Sequence, residues 1–398
     1  MPHSLKRRGV NTGLNSSFDY YKDLLEQTLG IPFTSDNSIE VLKNGDMIFP
    51  AMLKAIDQSK ERIEFLTFVY WTGNIAHKFA NALANKAEEG LEVNVILDSV
   101  GAAKMPEELL ELMKKSGVQV EHFRPLKNWK FWKMDNRTHR KVLICDGEIA
   151  FTGGVGIAGE WEGDARNKDE WRDTHFLIKG PAVFGLHAAF LENWIEAGRP
   201  LKLDYTIQGE ADTDQNVAVQ VIRTSASVRW SDIVMLYQVL IKMAQESIRI
   251  TTAYFNPNPI ILDLLKEAAD RGVKIQIMVP GETTDEEIAK VAGDKSFDTL
   301  LDAGIDLYYY QKTMLHAKII TIDGCLSCIG SANFNHRSML KDDEINVVIL
   351  DEQVTGELVD HFEEDLEQCE KIEMGRWKER GLMKRATEKV THLFDQQI

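Results

Sequence analysis

The chain contains the pattern His-x-Lys-x4-Asp twice, as HRKVLICD at residues 139–146 and as HAKIITID at residues 316–323. One copy is expected by chance on the order of a few hundredths of a time in a chain of this length, so two copies indicate a repeat. Each copy is followed, after six further residues, by a run of small residues, GGVG at 153–156 and GSAN at 330–333. The same motif therefore occurs once in each half of the chain.

Histidine and lysine at this spacing suit the transfer of a phosphoryl group. One imidazole can attack phosphorus and form a phosphohistidine, while a second imidazole protonates the leaving oxygen. A lysine two residues along a strand points to the same face as the histidine, where its ammonium can neutralise phosphate oxygens. For one copy alone, a core histidine beside a solvated lysine would be the better interpretation, but the duplication reverses this. The candidate catalytic residues are His139, Lys141, His316 and Lys318.

Three further pairs of segments correspond in the same order, roughly 180 residues apart, which indicates the duplication of an α/β unit. Helix-like and strand-like patterns alternate in both halves, and this alternation predicts a mostly parallel sheet covered by helices. The paired segments are Ile63–Trp71 with Ile248–Phe255, Gly90–Asp98 with Gly272–Pro280, and Gly117–Val120 with Gly304–Leu307.

The doubled motif strongly resembles the phospholipase D superfamily. The segments WRDTH (171–175), KGPA (179–182), RS (337–338) and EIN (344–346) resemble its cardiolipin synthase branch, in a short form without transmembrane helices. The resemblance covers about residues 38 to 380. It implies a duplicated α/β/α sandwich whose similar halves, each with a mostly parallel sheet, face each other across a pseudo-twofold active site.

The resemblance also assigns roles to residues outside the four candidates. It implies that Asp173 and Glu344 each accept a hydrogen bond from a catalytic imidazole across the pseudo-twofold axis, and that His139 is the nucleophile. It implies that the substrate phosphate binds near Gly154, Ser331 and Asn333.

Four other positions receive a structural interpretation or depart from the family pattern. Asp146 and Asp323 each precede a glycine, as turn-forming aspartates do, and we interpret them as structural. Gly156 stands where the first motif of the family usually has Asn, and Asn335 where Asp is common in the second. The first departure leaves Asn333 without a symmetric counterpart, so the halves are not expected to play equal roles.

Composition restricts the partners. The net charge of −16 argues against a nucleic-acid partner, because non-specific binding to phosphate backbones depends on Lys and Arg. No apolar run approaches the length of a membrane span, and residues 1–10 lack the apolar stretch of a signal peptide. We therefore expect a cytoplasmic protein that is peripherally associated with the inner face of the membrane.

No metal or other cofactor is expected, since the lysines and a protonated histidine supply positive charge. The C-x-x-C at Cys325 and Cys328 lacks further ligands for zinc.

The predicted organisation has five parts. Residues 1–37 form an extension with one amphipathic helix, capped by Ser17 and ending before Gly30. Residues 38–204 and 217–370 form the two phospholipase D-like halves, joined by a polar linker at 205–216. Residues 371–398 form a basic amphipathic tail.

One aromatic and basic segment is the first candidate for membrane contact. Interfacial segments combine rings at headgroup level with cations that meet lipid phosphates, and the basic tail is a second candidate. A loop that packs its rings over the active site fits the same composition equally well. The residues of this segment are Trp129, Lys130, Phe131, Trp132 and Lys133.

The sequence as a whole predicts a phosphatidyltransferase. It would move a phosphatidyl group through a phosphohistidine to a lipid alcohol such as phosphatidylglycerol. The alternatives are a phospholipase D hydrolase with water as acceptor, a phosphodiesterase acting on nucleic acid, and a catalytically inactive lipid-binding scaffold. The sequence does not decide the donor headgroup, the acyl-chain preference or the oligomeric state.

Overall fold

The structure is a computed structural model that describes residues 14–125, 136–201, 215–225, 231–281 and 296–374. Within these ranges, fifteen strands form one sheet with helices on its faces, and two short strands pair separately. The first half contains α1 (Leu14–Leu29), β1 (Thr34–Lys43), α2 (Asn44–Gln58), β2 (Arg62–Thr67), α3 (Asn74–Glu88), β3 (Glu92–Asp98), α4 (Glu107–Lys115), β4 (Gln119–Phe123), β5 (Val142–Cys145), β6 (Ile149–Gly153), a 3-10 turn (Gly159–Trp161), β7 (Thr174–Lys179) and α5 (Val183–Glu196).

The second half repeats this order of elements. It contains β8 (Val217–Thr224), α6 (Asp232–Met243), β9 (Ser247–Thr251), β10 (Phe255–Asn256), α7 (Pro259–Asp270), β11 (Lys274–Pro280), α8 (described over 296–302), β12 (Asp306–Tyr310), β13 (Ile319–Ile322), β14 (Leu326–Gly330), β15 (Phe334–Asn335), α9 (His336–Leu340), β16 (Glu344–Leu350), α10 (Glu352–Leu366) and β17 (Cys369–Lys371).

The strand order confirms the duplication. From the centre outward, the first half runs β1-β7-β6-β5-β2-β3-β4 and the second runs β8-β16-β14-β13-β9-β11-β12, with β17 as an additional strand beyond β12. The two sequences are equivalent strand for strand. The halves meet where β1 pairs with β8, through Thr34 with Val219 and Asn37 with Val217. The duplicated halves thus form one continuous sheet.

The α/β class is confirmed, but the prediction of mostly parallel strands was wrong. Only β2–β3, β3–β4, β9–β11 and β11–β12 are parallel, and the other ten neighbouring pairs of the described sheet are antiparallel. The helix-strand alternation that indicated a parallel sheet holds only for those parallel strands. The motif strands β5-β6 and β13-β14 are joined by three-residue turns, and such short connections permit only antiparallel pairing.

The helix α1 precedes the first half in sequence but packs on the second. It begins at Leu14, three residues before the predicted cap Ser17, and ends at Leu29. Tyr21 and Leu25 are buried in the core that α6 and α7 form over the second half of the sheet. The predicted domain boundary at 37/38 falls inside β1. The N-terminal segment therefore connects the halves, which adds to the contact between β1 and β8.

Candidate active site

The two H-x-K segments lie immediately before β5 and β13, strands that hold equivalent places in the sheet. Each segment is held by the backbone of the opposite half. The N–H of His139 donates to the carbonyl of Asp343 at 2.9 Å, and the N–H of His316 donates to the carbonyl of Arg172 at 2.7 Å. Each acceptor immediately precedes a carboxylate that is predicted to contact a histidine, Glu344 or Asp173. These two backbone hydrogen bonds between the halves therefore bring the groups of the site together where the halves meet.

The side chains repeat the same crosswise pattern. Nδ1 of His139 lies 3.1 Å from Oε1 of Glu344, and Nδ1 of His316 lies 2.8 Å from Oδ2 of Asp173. Each imidazole thus contacts a carboxylate from the other half, and both carboxylates are fully buried. An Nδ1–H that donates to a carboxylate leaves Nε2 as the basic nitrogen of a neutral imidazole.

The two lysines lie against the histidines of their own motifs. Nζ of Lys141 donates to the carbonyl of His139 at 2.7 Å, and Nζ of Lys318 donates to the carbonyl of His316. Nζ of Lys318 also lies 3.0 Å from Nε2 of His316. Lys141 is 3% exposed and Lys318 is 5% exposed, so both ammoniums are presented inside the site.

Burial and mutual charge set the protonation of these groups. Burial, followed by the Lys141 cation, lowers the pKa of His139 to about 4, against the opposing effect of Glu344. Burial and the Lys318 cation lower the pKa of Lys141 to about 7. Two cations that raise each other's energy in a buried site favour an anion between them.

Both carboxylates are ionised despite their burial. Burial raises the pKa of Asp173, but the hydrogen bond and charge of His316 outweigh it and lower that pKa to about 2. Burial likewise opposes the net shift at Glu344, where electrostatic and hydrogen-bond interactions with His139, together with the Lys141 cation, hold the pKa below the usual range. The charges of the two lysines and the two carboxylates balance, so one proton added to an imidazole would leave a single positive charge, which a phosphodiester monoanion would neutralise.

The three predicted phosphate ligands occupy different surroundings. Ser331 is buried and its hydroxyl donates to Oε2 of Glu344. Gly154 lies against Asp173, where a Cβ would fall 2.3 Å from Oδ1. Asn333 is buried, and within the described residues its Oδ1 accepts no hydrogen bond. Phosphate binding remains a prediction for all three.

The motif aspartates hold turns at the ends of the motif strands. Asp146 accepts hydrogen bonds from the backbone N–H groups of residues 60, 61 and 62 at 2.8 to 3.0 Å. Asp323 accepts them from residues 245, 246 and 247 at 2.7 to 2.8 Å. Both aspartates have positive φ, 55° and 51°, in the Asp-Gly turns. This geometry supports the structural interpretation of both residues.

The two departures from the family pattern have local explanations. A side chain at Gly156 would place its Cβ 2.6 Å from Cβ of Val69 and 3.3 Å from Cζ3 of Trp161, so Asn does not fit there. Asn335 is the N-cap of α9, where its Oδ1 accepts from the N–H of Ser338 at 3.0 Å. Asn and Asp cap helices about equally well, so the second departure preserves the local fold.

Several residues at the site were missed by the sequence analysis. Arg140, between the two motif residues, is fully buried and donates to the carbonyls of Glu344, Ala189 and Thr224. Its alternation with His139 and Lys141 could have indicated that it points to the opposite face of the strand. The ring of Phe68 lies 5.1 Å from that of His139. Trp161 is the third omission, and the second half has Ser338 at the same distance after its small-residue run.

Other predicted features fall elsewhere. The segment 129–133 and the tail from 375 onward lie outside the described residues. Within the described ranges, no cluster of His, Cys, Asp or Glu is arranged to hold a metal ion, and Cys325 and Cys328 are buried free thiols. None of the described helices is both long and apolar enough to cross a bilayer.

The chain belongs to the family described as cardiolipin synthase, PLD-like domain, whose profile matches residues 52–161 and 237–366. It is therefore a phosphatidyltransferase-family enzyme of the phospholipase D superfamily. It is 33% identical over 388 residues to the "Probable cardiolipin synthase YwiE" of Bacillus subtilis (strain 168), covering 96% of this chain and 77% of that protein. It is 31% identical to "Cardiolipin synthase 1" of Bacillus cereus, covering 96% of this chain and 76% of that protein.

A solved structure supports the fold independently. The phosphatidylserine synthase of Haemophilus influenzae Rd KW20 matches with a TM-score of 0.71 and 14% sequence identity, covering 95% of this chain and all of that chain. At this identity the match shows the duplicated α/β fold alone.

Proposed function

We propose that this enzyme transfers a phosphatidyl group from a phospholipid to the hydroxyl of a lipid alcohol, with phosphatidylglycerol as a substrate. The observation that carries the proposal is the crosswise pairing of two histidines with two buried carboxylates, beside two buried ammoniums. The relatives named as cardiolipin synthases support phosphatidylglycerol as donor and acceptor.

In the first step, Nε2 of His139 attacks phosphorus and the bond from phosphorus to the leaving alcohol breaks. His316 gives its proton to the departing oxygen, so the alcohol leaves neutral. The product is a phosphatidyl group bonded to His139, and His316 is left neutral. Glu344 accepts the Nδ1–H of His139 and stabilises the positive charge that develops on that ring.

In the second step, the acceptor hydroxyl gives its proton to His316 and attacks phosphorus. The P–N bond breaks, which restores neutral His139 and protonated His316. If water entered in place of the lipid alcohol, the product would be phosphatidic acid. Exclusion of water from the phosphohistidine therefore decides between transfer and hydrolysis.

The assignment of His139 as nucleophile has support in its protonation. Burial and Lys141 lower its pKa to about 4, so this ring is neutral near pH 7 and its Nε2 lone pair can attack. His316 lies on the ionised carboxylate of Asp173, which stabilises a protonated ring. The lowered pKa of His139 supports its assignment as nucleophile, and the contact with Asp173 supports His316 as the acid.

Product analysis tests this proposal. We incubate the enzyme with vesicles of phosphatidylglycerol, alone and mixed with phosphatidylethanolamine, and identify the lipids by mass spectrometry. Transfer predicts cardiolipin and one glycerol for each cardiolipin formed. The exposed His77 offers a matched control, because His77→Ala removes an imidazole outside the site. Phosphatidic acid as the main product would instead identify a hydrolase.

The pH dependence of kcat/KM should reflect the two shifted groups. His139 must be neutral, so activity is lost as pH falls through about 4 rather than near the usual value for histidine. Lys141 and His316 must both be charged, and the loss of the Lys141 charge lowers activity as pH rises through about 7. Lys141→Arg keeps its charge and should move the alkaline decline to higher pH. If kcat/KM of the wild type fell on the acid side near pH 6.5, this would contradict the lowered pKa of His139.

We further propose that the enzyme acts from the surface of the membrane, at its inner face, and that the segment 129–133 contacts lipid. Replacing Trp129, Phe131 and Trp132 with Ala should weaken vesicle binding and lower turnover on bilayers about tenfold or more, while a short-chain soluble diester is turned over normally. Vesicle co-sedimentation and the two assays measure this. Equal losses on both substrates would place these rings at the active site instead.

A further inference from the structure

Trp161 is a buried aromatic residue that bonds directly to a supporting carboxylate. Its indole Nε1–H donates to Oδ2 of Asp173 at 2.9 Å, and the side chain is 2% exposed. The same oxygen lies 2.8 Å from Nδ1 of His316. One carboxylate oxygen therefore connects the indole to the imidazole, so the position of one ring depends on the other.

In the opposite half, a different residue donates a hydrogen bond to the carboxylate that contacts the histidine. There the hydroxyl of Ser331 donates to Oε2 of Glu344, the carboxylate that supports His139. Gly154 holds the position equivalent to Ser331, and a Cβ there would collide with the carboxylate of Asp173. Glycine at position 154 has no side chain to donate, and in the described part of this half the side-chain donor to the carboxylate other than the histidine is Trp161.

Trp161 also lies beside Gly156, where the family motif usually has Asn. A Cβ on Gly156 would lie 2.6 Å from Cβ of Val69 and 3.3 Å from Cζ3 of Trp161, so both neighbours pack closely against the glycine. The ring of Trp161 lies 5.2 Å from the ring of His316, nearly perpendicular to it at 81°. The ring of Trp171 lies 5.5 Å from His316. Two indoles thus pack beside His316, which is 6% exposed.

We propose that Trp161 is a positioning residue for the acid-base histidine, acting through Asp173, and that the two halves hold their histidines with different donors. The inference rests on the proposed roles of His139 and His316. The indole fixes Oδ2 of Asp173, and Asp173 in turn fixes the His316 ring where its proton reaches the leaving oxygen. Loss of the donor should therefore harm only the steps that need that proton.

The leaving group of the substrate tests this directly. We compare first-turnover rates, with enzyme in excess in neutral mixed micelles, for phosphatidylglycerol and for a phosphatidyl ester of 4-nitrophenol. Nitrophenolate departs without protonation, whereas glycerol needs an acid. His316→Ala should lower glycerol release by about 10²-fold or more but nitrophenol release by less than about tenfold.

For Trp161→Phe, we expect glycerol release to fall by about tenfold to 10²-fold, with nitrophenol release within about threefold of wild type. Ser331→Ala should lower both rates by similar factors, because it acts on the nucleophile. Trp194→Phe, a buried tryptophan on α5, is the control and should change neither. Replacing Trp161 with benzothienylalanine removes the N–H and keeps the ring shape, so it provides a second variant if Trp161→Phe folds poorly.

The possible results distinguish a failure of the positioning role of Trp161 from a failure of the proposed acid role of His316. If both Trp161 variants lowered glycerol release and nitrophenol release equally, while His316→Ala still lowered mainly glycerol release, Trp161 would be only a packing residue. No loss on either substrate would overturn the inference too. If His316→Ala itself lowers both rates equally, the assignment of His316 as acid fails.

Discussion

Replacing His139 or His316 with Ala is expected to lower the steady-state formation of lipid product by about 10⁴-fold or more in each variant, because nucleophile and acid act in series. Each imidazole is held by the carboxylate of the opposite half, so neither ring is placed to take over the role of the other. The double variant should be no worse than the more impaired single variant, as expected for residues that act as a unit. Lipid mass spectrometry of phosphatidylglycerol vesicles measures this.

His77→Ala is the matched control and should leave turnover unchanged, because His77 is exposed on α3. Vesicle binding by the active-site variants should also be unchanged, which separates lost chemistry from lost contact with lipid. Retention of turnover within tenfold of wild type in either active-site variant would be incompatible with a two-histidine mechanism.

The second large effect concerns the supporting carboxylates. Asp173→Asn and Glu344→Gln keep side-chain size but remove the charge that orients each imidazole and stabilises its cation, so turnover should fall by about 10²- to 10⁴-fold. The exposed Glu148 in the turn between β5 and β6 gives a matched control, Glu148→Gln, without expected effect. Circular dichroism would establish that both buried variants are folded.

Each carboxylate contacts the histidine of the other half, so the two variants should impair different histidines. Asp173→Asn impairs the acid and should be partly rescued by a nitrophenol leaving group, whereas Glu344→Gln impairs the nucleophile and should not. Equal rescue of both variants would show that the carboxylates do not support separate histidines. Wild-type turnover in either variant would remove that carboxylate from the mechanism.

The four motif residues could be predicted to meet because the repeat puts them on equivalent strands. Sequence order gave both halves the same series of elements, and the sheet bears this out. The direction of the strands could not be inferred in the same way. Alternation of helix and strand predicts parallel pairing only where a helix connects the strands, and β5, β6 and β7 follow one another without α-helices between them.

The contribution of Trp161 could not be predicted from the repeat. Comparison of the halves shows only that Gly154 and Gly156 stand where the second half has residues with polar side chains. It does not show which residue of the first half donates the hydrogen bond instead. The substitute lies in a 3-10 turn of the first half, and its relation to Asp173 depends on how the backbone folds between β6 and β7. Similarly, the contact of α1 with the second half is a tertiary contact between segments more than 200 residues apart, such as Tyr21 with Asp323.

The most direct test of this mechanism is to trap its covalent intermediate. The enzyme is mixed with phosphatidylglycerol, quenched in alkali, where a phosphorus–nitrogen bond to histidine survives, and digested for peptide mass spectrometry. We predict on His139 a phosphatidyl adduct, or the glycerophosphoryl group that remains after alkali removes the acyl chains, absent from His139→Ala and formed within the time of one turnover. An adduct on His316 would contradict the assigned roles of the two histidines, and the absence of any adduct during active turnover would contradict covalent catalysis by this site.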